Sequence, residues 1–225
     1  MDAAFIIRFH YNEGDPRFDW RFAYFRSVVL PRILAQSEQG FDIAVWCNSW
    51  HRSLFLALDQ KVRTFSVRPE VDGYVRPEDR ERATRYHIDF TYWRDVVGLP
   101  PYEIQMGLDS DDLIRCDYVE RAFKEINRAG GVSSHVCFQP LVFNLGNLTQ
   151  YDYKPQYGLG SGSPFFAIRQ TDRSNYIFAY EYSHLHLPRH FGQSTTVEAG
   201  YCWFTIHGAN ASTMFRADSQ PILNP

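Results

Sequence analysis

Ile104-Gln105-Met106-Gly107-Leu108-Asp109-Ser110-Asp111-Asp112 is an apolar run that ends in three carboxylates within four positions. The apolar part has the length and composition of a buried strand, bounded upstream by Pro100 and Pro101. Crowded carboxylates repel one another unless a cation or hydrogen-bond donors neutralise them, so acids at the end of such a strand suggest a metal or phosphate-sugar site. The other reading is that acids simply favour turns and first helical positions, through backbone hydrogen bonds and the helix dipole.

Around this stretch the chain alternates. Ala4 to Arg8 predicts a short strand, Phe41 to Cys47 a second and Val62 to Val67 a third. Between the first two, Phe22, Phe25, Val29, Ile33 and Leu34 keep helical spacing, with Pro31 expected to kink or break the helix. Ser53 to Leu58 predicts a short helix, and the charged stretch after Arg68 leads into a solvated helix of about Arg80 to Val97. Tyr102 to Leu108 is the acid-bearing strand, and a clear helix follows, with Asp117 as N-cap, an apolar face of Val119, Ala122, Phe123 and Ile126, and Gly130-Gly131 as the stop. The order βαβαβ argues for a parallel sheet with helices on its faces. In open sheets of this kind ligands bind outside the carboxyl ends of strands.

Beyond Ser133 the pattern turns β-like, with runs at His135 to Leu145, Phe165 to Gln170 and Tyr176 to Tyr180. The glycine-rich segment Gln156 to Ser163 lacks the spacing of a P-loop and reads as a surface loop. The 225 residues suffice for one domain with a substantial core. A net charge of −3 gives no field to recruit nucleic acid. Aromatics reach 16%, as an aromatic-rich core or a ring-stacking site would require. No segment approaches the roughly 18 apolar residues of a membrane span, and the N-terminus lacks the basic start and apolar core of a signal peptide. Cys47, Cys116, Cys137 and Cys202 form no C-x-x-C pair and read as reduced thiols of a cytoplasmic protein.

Leu108-Asp109-Ser110-Asp111-Asp112 resembles the D-x-D region of GT-A-type glycosyltransferases, in the L-D-x-D-D form of a bacterial rhamnosyltransferase family. Arg8-Phe9-His10-Tyr11, Leu30-Pro31 with Gln36, and Trp203-Phe204-Thr205-Ile206-His207-Gly208-Ala209-Asn210 carry the resemblance to both ends of the chain. It implies one GT-A-like, Rossmann-like α/β domain over residues 1–225, with a mixed sheet flanked by helices. Residues 1–130 would form the nucleotide-sugar-binding half and 131–225 a β-rich acceptor half.

The implied activity is transfer of a sugar, rhamnose by the family's name, from a nucleotide diphosphate donor to a carbohydrate or other hydroxyl acceptor, assisted by Mn2+ or Mg2+. Asp109, Ser110 and Arg8 would contact the nucleotide-sugar. Asp111 would bind the metal, with Asp109 near it and His207 completing the site. Asp112 would support them or cap a helix, and Asp111→Ala would abolish activity with the fold intact. An inverting transferase needs a base beside the acceptor hydroxyl; Glu181, Asp152 and Glu198 are candidates, Glu181 foremost because it lies in the aromatic and histidine-rich segment 180–190. His184, His186 and His190 in that segment also allow a zinc reading, which lacks the H-E-x-x-H glutamate. A metal-dependent nucleotide-sugar hydrolase and a non-catalytic carbohydrate or nucleotide-binding module stay open as alternatives.

Overall fold

The computed structural model describes residues 2–9, 14–65, 102–131, 133–152, 165–169 and 193–206, with single positions at 163, 188 and 191. Its centre is β1, Ala3–Phe9, in which all residues but Arg8 are buried. A strand apolar on both faces belongs inside a parallel sheet. β1 pairs in parallel with β2, Asp42–Cys47, on one side and with β4, Ile104–Asp109, on the other. β3, Val62–Phe65, adds in parallel outside β2.

The sheet has seven strands in the order β10-β6-β9-β4-β1-β2-β3. β9, Phe166–Arg169, runs antiparallel to both β4 and β6, Ser134–Phe138, and β10, Gln193–Val197, runs parallel to β6. The expected mixed sheet is therefore present, with reversal confined to β9. A second sheet of four strands, three of them from the β-rich C-terminal part, has the order β5-β11-β7-β8. Its members are β5, Leu113–Ile114, β7, Leu141–Asn144, β8, Thr149–Asp152, and β11, Cys202–Ile206. The β-like run His135 to Leu145 supplies one strand to each sheet. Pro140 lies between them and has no N–H to donate to a ladder.

The first helical stretch excludes a break at Pro31. α1, Pro16–Tyr24, continues through a π-helical turn, Phe25–Val29, into α2, Leu30–Leu34, without a break. Proline has no N–H, and the wide turn just before it absorbs the misfit, with Leu30 N–H bonded to Phe25 C=O. Gln36, just beyond α2, ties this stretch to the next helix: its amide donates to the carbonyls of Arg32 and Arg115, at 3.0 and 2.8 Å. Its Oε1 accepts from Val119 N–H at 3.0 Å.

That bond caps α4, Tyr118–Ala129, whose N-cap residue Asp117 makes no side-chain cap hydrogen bond. Asp117 instead takes the Arg115 guanidinium, at 2.5 and 2.7 Å, which holds its carboxyl below the usual range. Val119, Ala122, Phe123 and Ile126 are buried as the spacing predicts, and Gly130 ends the helix in the left-handed region at φ 67°. α3, Arg52–Leu56, packs beside β3. Cys47, Cys137 and Cys202 are buried and Cys116 exposed, all as free thiols. Among the described residues no helix is long and apolar enough to cross a membrane. The helix at Arg80 to Val97 and the run at Tyr176 to Tyr180 lie outside the described residues.

One buried titratable group makes the fold pH-sensitive. His135 on β6 is fully buried, with Nδ1 2.9 Å from Ser194 Oγ, and burial pushes its pKa down to about 4. Below about pH 6.5 the unfolded chain takes up a proton that the folded chain refuses until about pH 4. Stability should therefore fall with pH across that window, by up to ~1.4 kcal/mol per unit from this group. Urea midpoints at pH 7 and pH 4.5 should show a smaller acid loss in His135→Leu than in the parent protein; equal losses would remove His135 from the account.

Candidate functional site

The chain passes β1, β2 and β3 outward on one side, then crosses to β4 on the other side of β1. The gap beyond the carboxyl ends of β1 and β4 is thus where strand order reverses, the place where open α/β sheets bind ligands. Arg8 and Asp109 are cross-strand partners in this gap, and Arg8 Nη2 lies 3.4 Å from Asp109 Oδ1. Both side chains are partly open, 37% and 41% exposed, so their ion pair is weak and accessible to a ligand.

After Asp109 the chain turns, with Asp112 N–H bonded to Asp109 C=O at 3.2 Å, and Ser110, Asp111 and Asp112 are all buried. β5 follows, so the acids do not lead straight into a helix, and Asp112 caps none. Its Oδ1 accepts Thr205 N–H of β11 at 3.0 Å, while Thr205 Oγ1 donates to the carbonyl of Asp111. The two bonds fasten the second sheet to the acid turn. Burial raises the Asp112 carboxyl well above the usual range, and the Asp109 charge adds to that, against the Thr205 N–H and Arg21.

Asp111 faces a different partner. Its Oδ2 forms an ion pair with the Arg21 guanidinium from α1, both side chains almost fully enclosed. One turn further along α1, the Tyr24 hydroxyl lies beside Thr205 and Asp112; burial and then the Asp112 charge raise its pKa. Arg21, Tyr24 and Thr205 were not among the residues singled out from sequence. Arg21 carries a readable signal nevertheless: it sits between Phe18 and Phe25 at spacings of three and four, on the helix face that is buried. A permanently charged guanidinium on a buried face demands an anion.

The division of labour among the acids is therefore steric. Asp109 is open to a ligand, Asp111 is enclosed against Arg21, and Asp112 holds β11. Oxygen donors of this kind suit Mg2+ or Mn2+, and of the three Asp109 is the most open, with 41% of its side chain exposed. Among the described residues no three His, Cys, Asp or Glu side chains gather at one point. His207, Glu181, His184, His186 and His190 lie outside the described residues. Asp152 closes the edge strand β8, two strands from β11, or roughly 10 Å at the usual spacing. Glu198 is exposed and pairs with Arg121 of α4 at 3.8 Å.

Comparison with known proteins bears on the fold and the family. No curated protein sequence matches the chain. A family model described as "putative rhamnosyl transferase" matches residues 6–219. The fold is similar to S. aureus TarS 1-349 in complex with UDP-GlcNAc, with a TM-score of 0.55 at 12% identity over 96% of this chain and 62% of that one. It is similar also to TarS 1-349 in complex with UDP, at TM-score 0.54 and 13% identity over 92% and 61%, and to a longer TarS structure at 0.52 and 12% over 92% and 37%. The chain spans less than two thirds of the length of these structures. With the mostly parallel sheet, the acids at its reversal point and a family match from the first strand to beyond the last one described, the chain belongs to the glycosyltransferase family described by that model.

Proposed function

We propose that the protein transfers a sugar from a nucleoside diphosphate donor to a hydroxyl acceptor, using Mg2+ or Mn2+ at Asp109 and Asp111. The observation that carries this reading is the pairing of Arg8 with Asp109 across the β1–β4 gap, beside the enclosed Asp111. A cation and two acids at that gap can meet a diphosphate and its metal together. TarS, which shares the fold, is seen with UDP and with UDP-GlcNAc; the family description points to rhamnose as the sugar.

The chain's own residues would share the work. Arg8 would bind a donor phosphate or the base, and Asp109 the ribose or the ion. Ser110, buried in the turn, would shape the backbone that the donor meets. A bound ion would supply positive charge to the leaving diphosphate. His207 follows Thr205 by two positions, at most about 7 Å of chain, and Thr205 is fastened to the acids; that nearness supports His207 as the third ligand. Glu181 is the base we assign, because Asp152 ends a strand two places from the one that meets the acid turn.

Calorimetry with UDP, dTDP and GDP, each with and without Mn2+, tests the reading. At least one nucleotide should bind about 10-fold or more tightly with the metal, a modest share of what a bridging ion can supply. Binding that ignores the metal for all three would favour a non-catalytic binding module. Metal-enhanced binding with donor cleavage that no acceptor accelerates would favour a hydrolase.

A further inference from the structure

Arg21 is the least expected charge in this molecule. It lies on α1 with 9% of its surface exposed, between buried Phe18 and Phe25, and its counter-charge is Asp111, 5% exposed. Guanidinium stays protonated at any ordinary pH, so an enclosed one cannot relieve its burial by losing a proton. It must keep an anion. Asp111 supplies that anion through Oδ2, and a divalent ion arriving at Asp111 would share the carboxylate with Arg21.

The two cations cannot both take that carboxylate without repelling each other, and displacing Arg21 leaves a buried positive charge in search of a partner. The donor brings one, since a nucleoside diphosphate carries its negative charge to the same gap as the ion. α1 meets the acid turn through Arg21 and ends three residues on, at Tyr24. The π-helical turn begins at the next residue, and such turns occur frequently at functional sites.

We infer that Arg21 is a positioning residue of the donor site, a resident cation that holds Asp111 until a divalent ion displaces it and then passes to the donor's diphosphate. This rests on the reading of Asp111 as a metal ligand. It makes ion and donor depend on each other: Mn2+ alone competes with Arg21, whereas Mn2+ with a diphosphate gives Arg21 a new anion. Such coupling is reciprocal and commonly amounts to 5–150-fold in affinity.

The test is Mn2+ binding to the full chain, followed by the electron paramagnetic resonance signal of free Mn2+, with and without UDP. Parent protein, Arg21→Gln, Arg21→Lys and Asp111→Asn are compared after thermal melting confirms that each is folded. Arg21→Gln should bind Mn2+ alone about 10-fold more tightly than the parent, and UDP should strengthen its Mn2+ binding by a smaller factor than it does in the parent. Arg21→Lys keeps a buried positive charge but loses the planar fork; it should fold and show the same changes at about 3-fold. Unchanged Mn2+ affinity in both Arg21 variants, or in Arg21→Lys alone if Arg21→Gln does not fold, overturns the inference. Failure of the metal reading has its own signature: Asp111→Asn would then bind Mn2+ and UDP as the parent does.

Discussion

Asp111→Asn should lower sugar transfer by about 10³-fold, at the upper end of what losing one preorganised charge contact costs an enzyme. On the proposed reading Asp111 carries the ion that meets the leaving diphosphate, and the amide keeps the shape of the side chain while removing its charge. An Asn oxygen can still accept from Arg21. Asp111→Ala is the poorer choice, contrary to what the acid motif suggests by itself. It would strand a buried guanidinium, and breaking an enclosed pair by removing one partner typically costs about 3–5 kcal/mol. That is a large share of the ~5–15 kcal/mol that holds a domain together, so lost activity in the alanine variant would confound catalysis with unfolding. The measurement is initial-rate nucleotide release from the donor that calorimetry selects, at saturating acceptor and Mn2+. Turnover within a few-fold of the parent, in a protein that melts normally, would remove Asp111 from the chemistry.

The largest effect on stability should come from Phe9→Ala, at about 3–5 kcal/mol. Phe9 ends β1 with none of its surface exposed, and its ring touches four others: Phe55 of α3 at 4.8 Å between centroids, Phe25 at 5.5 Å, Phe18 at 5.8 Å and Phe22 at 6.3 Å. All four meet edge to face, an arrangement that aromatic quadrupoles favour. Truncation removes the common contact between β1, α1, the π-helical turn and α3 and leaves a cavity where they meet. Denaturant titration should show a lower midpoint with little change in slope. A shift of less than about 1 kcal/mol would mean that the cluster repacks. The variant should also weaken donor binding, because Phe18 and Phe22 flank Arg21 on the helix that presents it to Asp111.

Much of the architecture is legible along the chain. Strands β1, β2 and β4 appear as unbroken apolar runs, as strands covered on both faces must, and the structure returns them within one or two residues of their expected bounds. α4 is readable for a different reason, its apolar face at helical spacing and Gly130 at its end. The misread places share a cause. Pro31 acts through whichever carbonyls surround it, and a π-helical turn removes the conflict that periodicity anticipates. Asp117 has the right position for a cap, but Arg115 claims its carboxylate and Gln36, 83 residues from Val119, supplies the cap hydrogen bond instead. The run from His135 to Leu145 has continuous β character across Pro140, and only packing decides that its halves join separate sheets.

The candidate site divides in the same way. From residues 104–112 alone come the strand, the acids at its end and the expectation that they need a counter-charge, because these follow from local polarity and repulsion along a few neighbouring positions. Which acid meets which counter-charge is a matter of three dimensions. Arg8 reaches Asp109 through sheet register, Arg21 reaches Asp111 through helix packing, and Thr205 reaches Asp112 from 93 residues away. Spacing can announce that charge must be neutralised, but only the packing of α1 and β11 against the turn decides where each partner comes from, since the energy of an enclosed charge depends on what surrounds it in space and not on its neighbours in the chain.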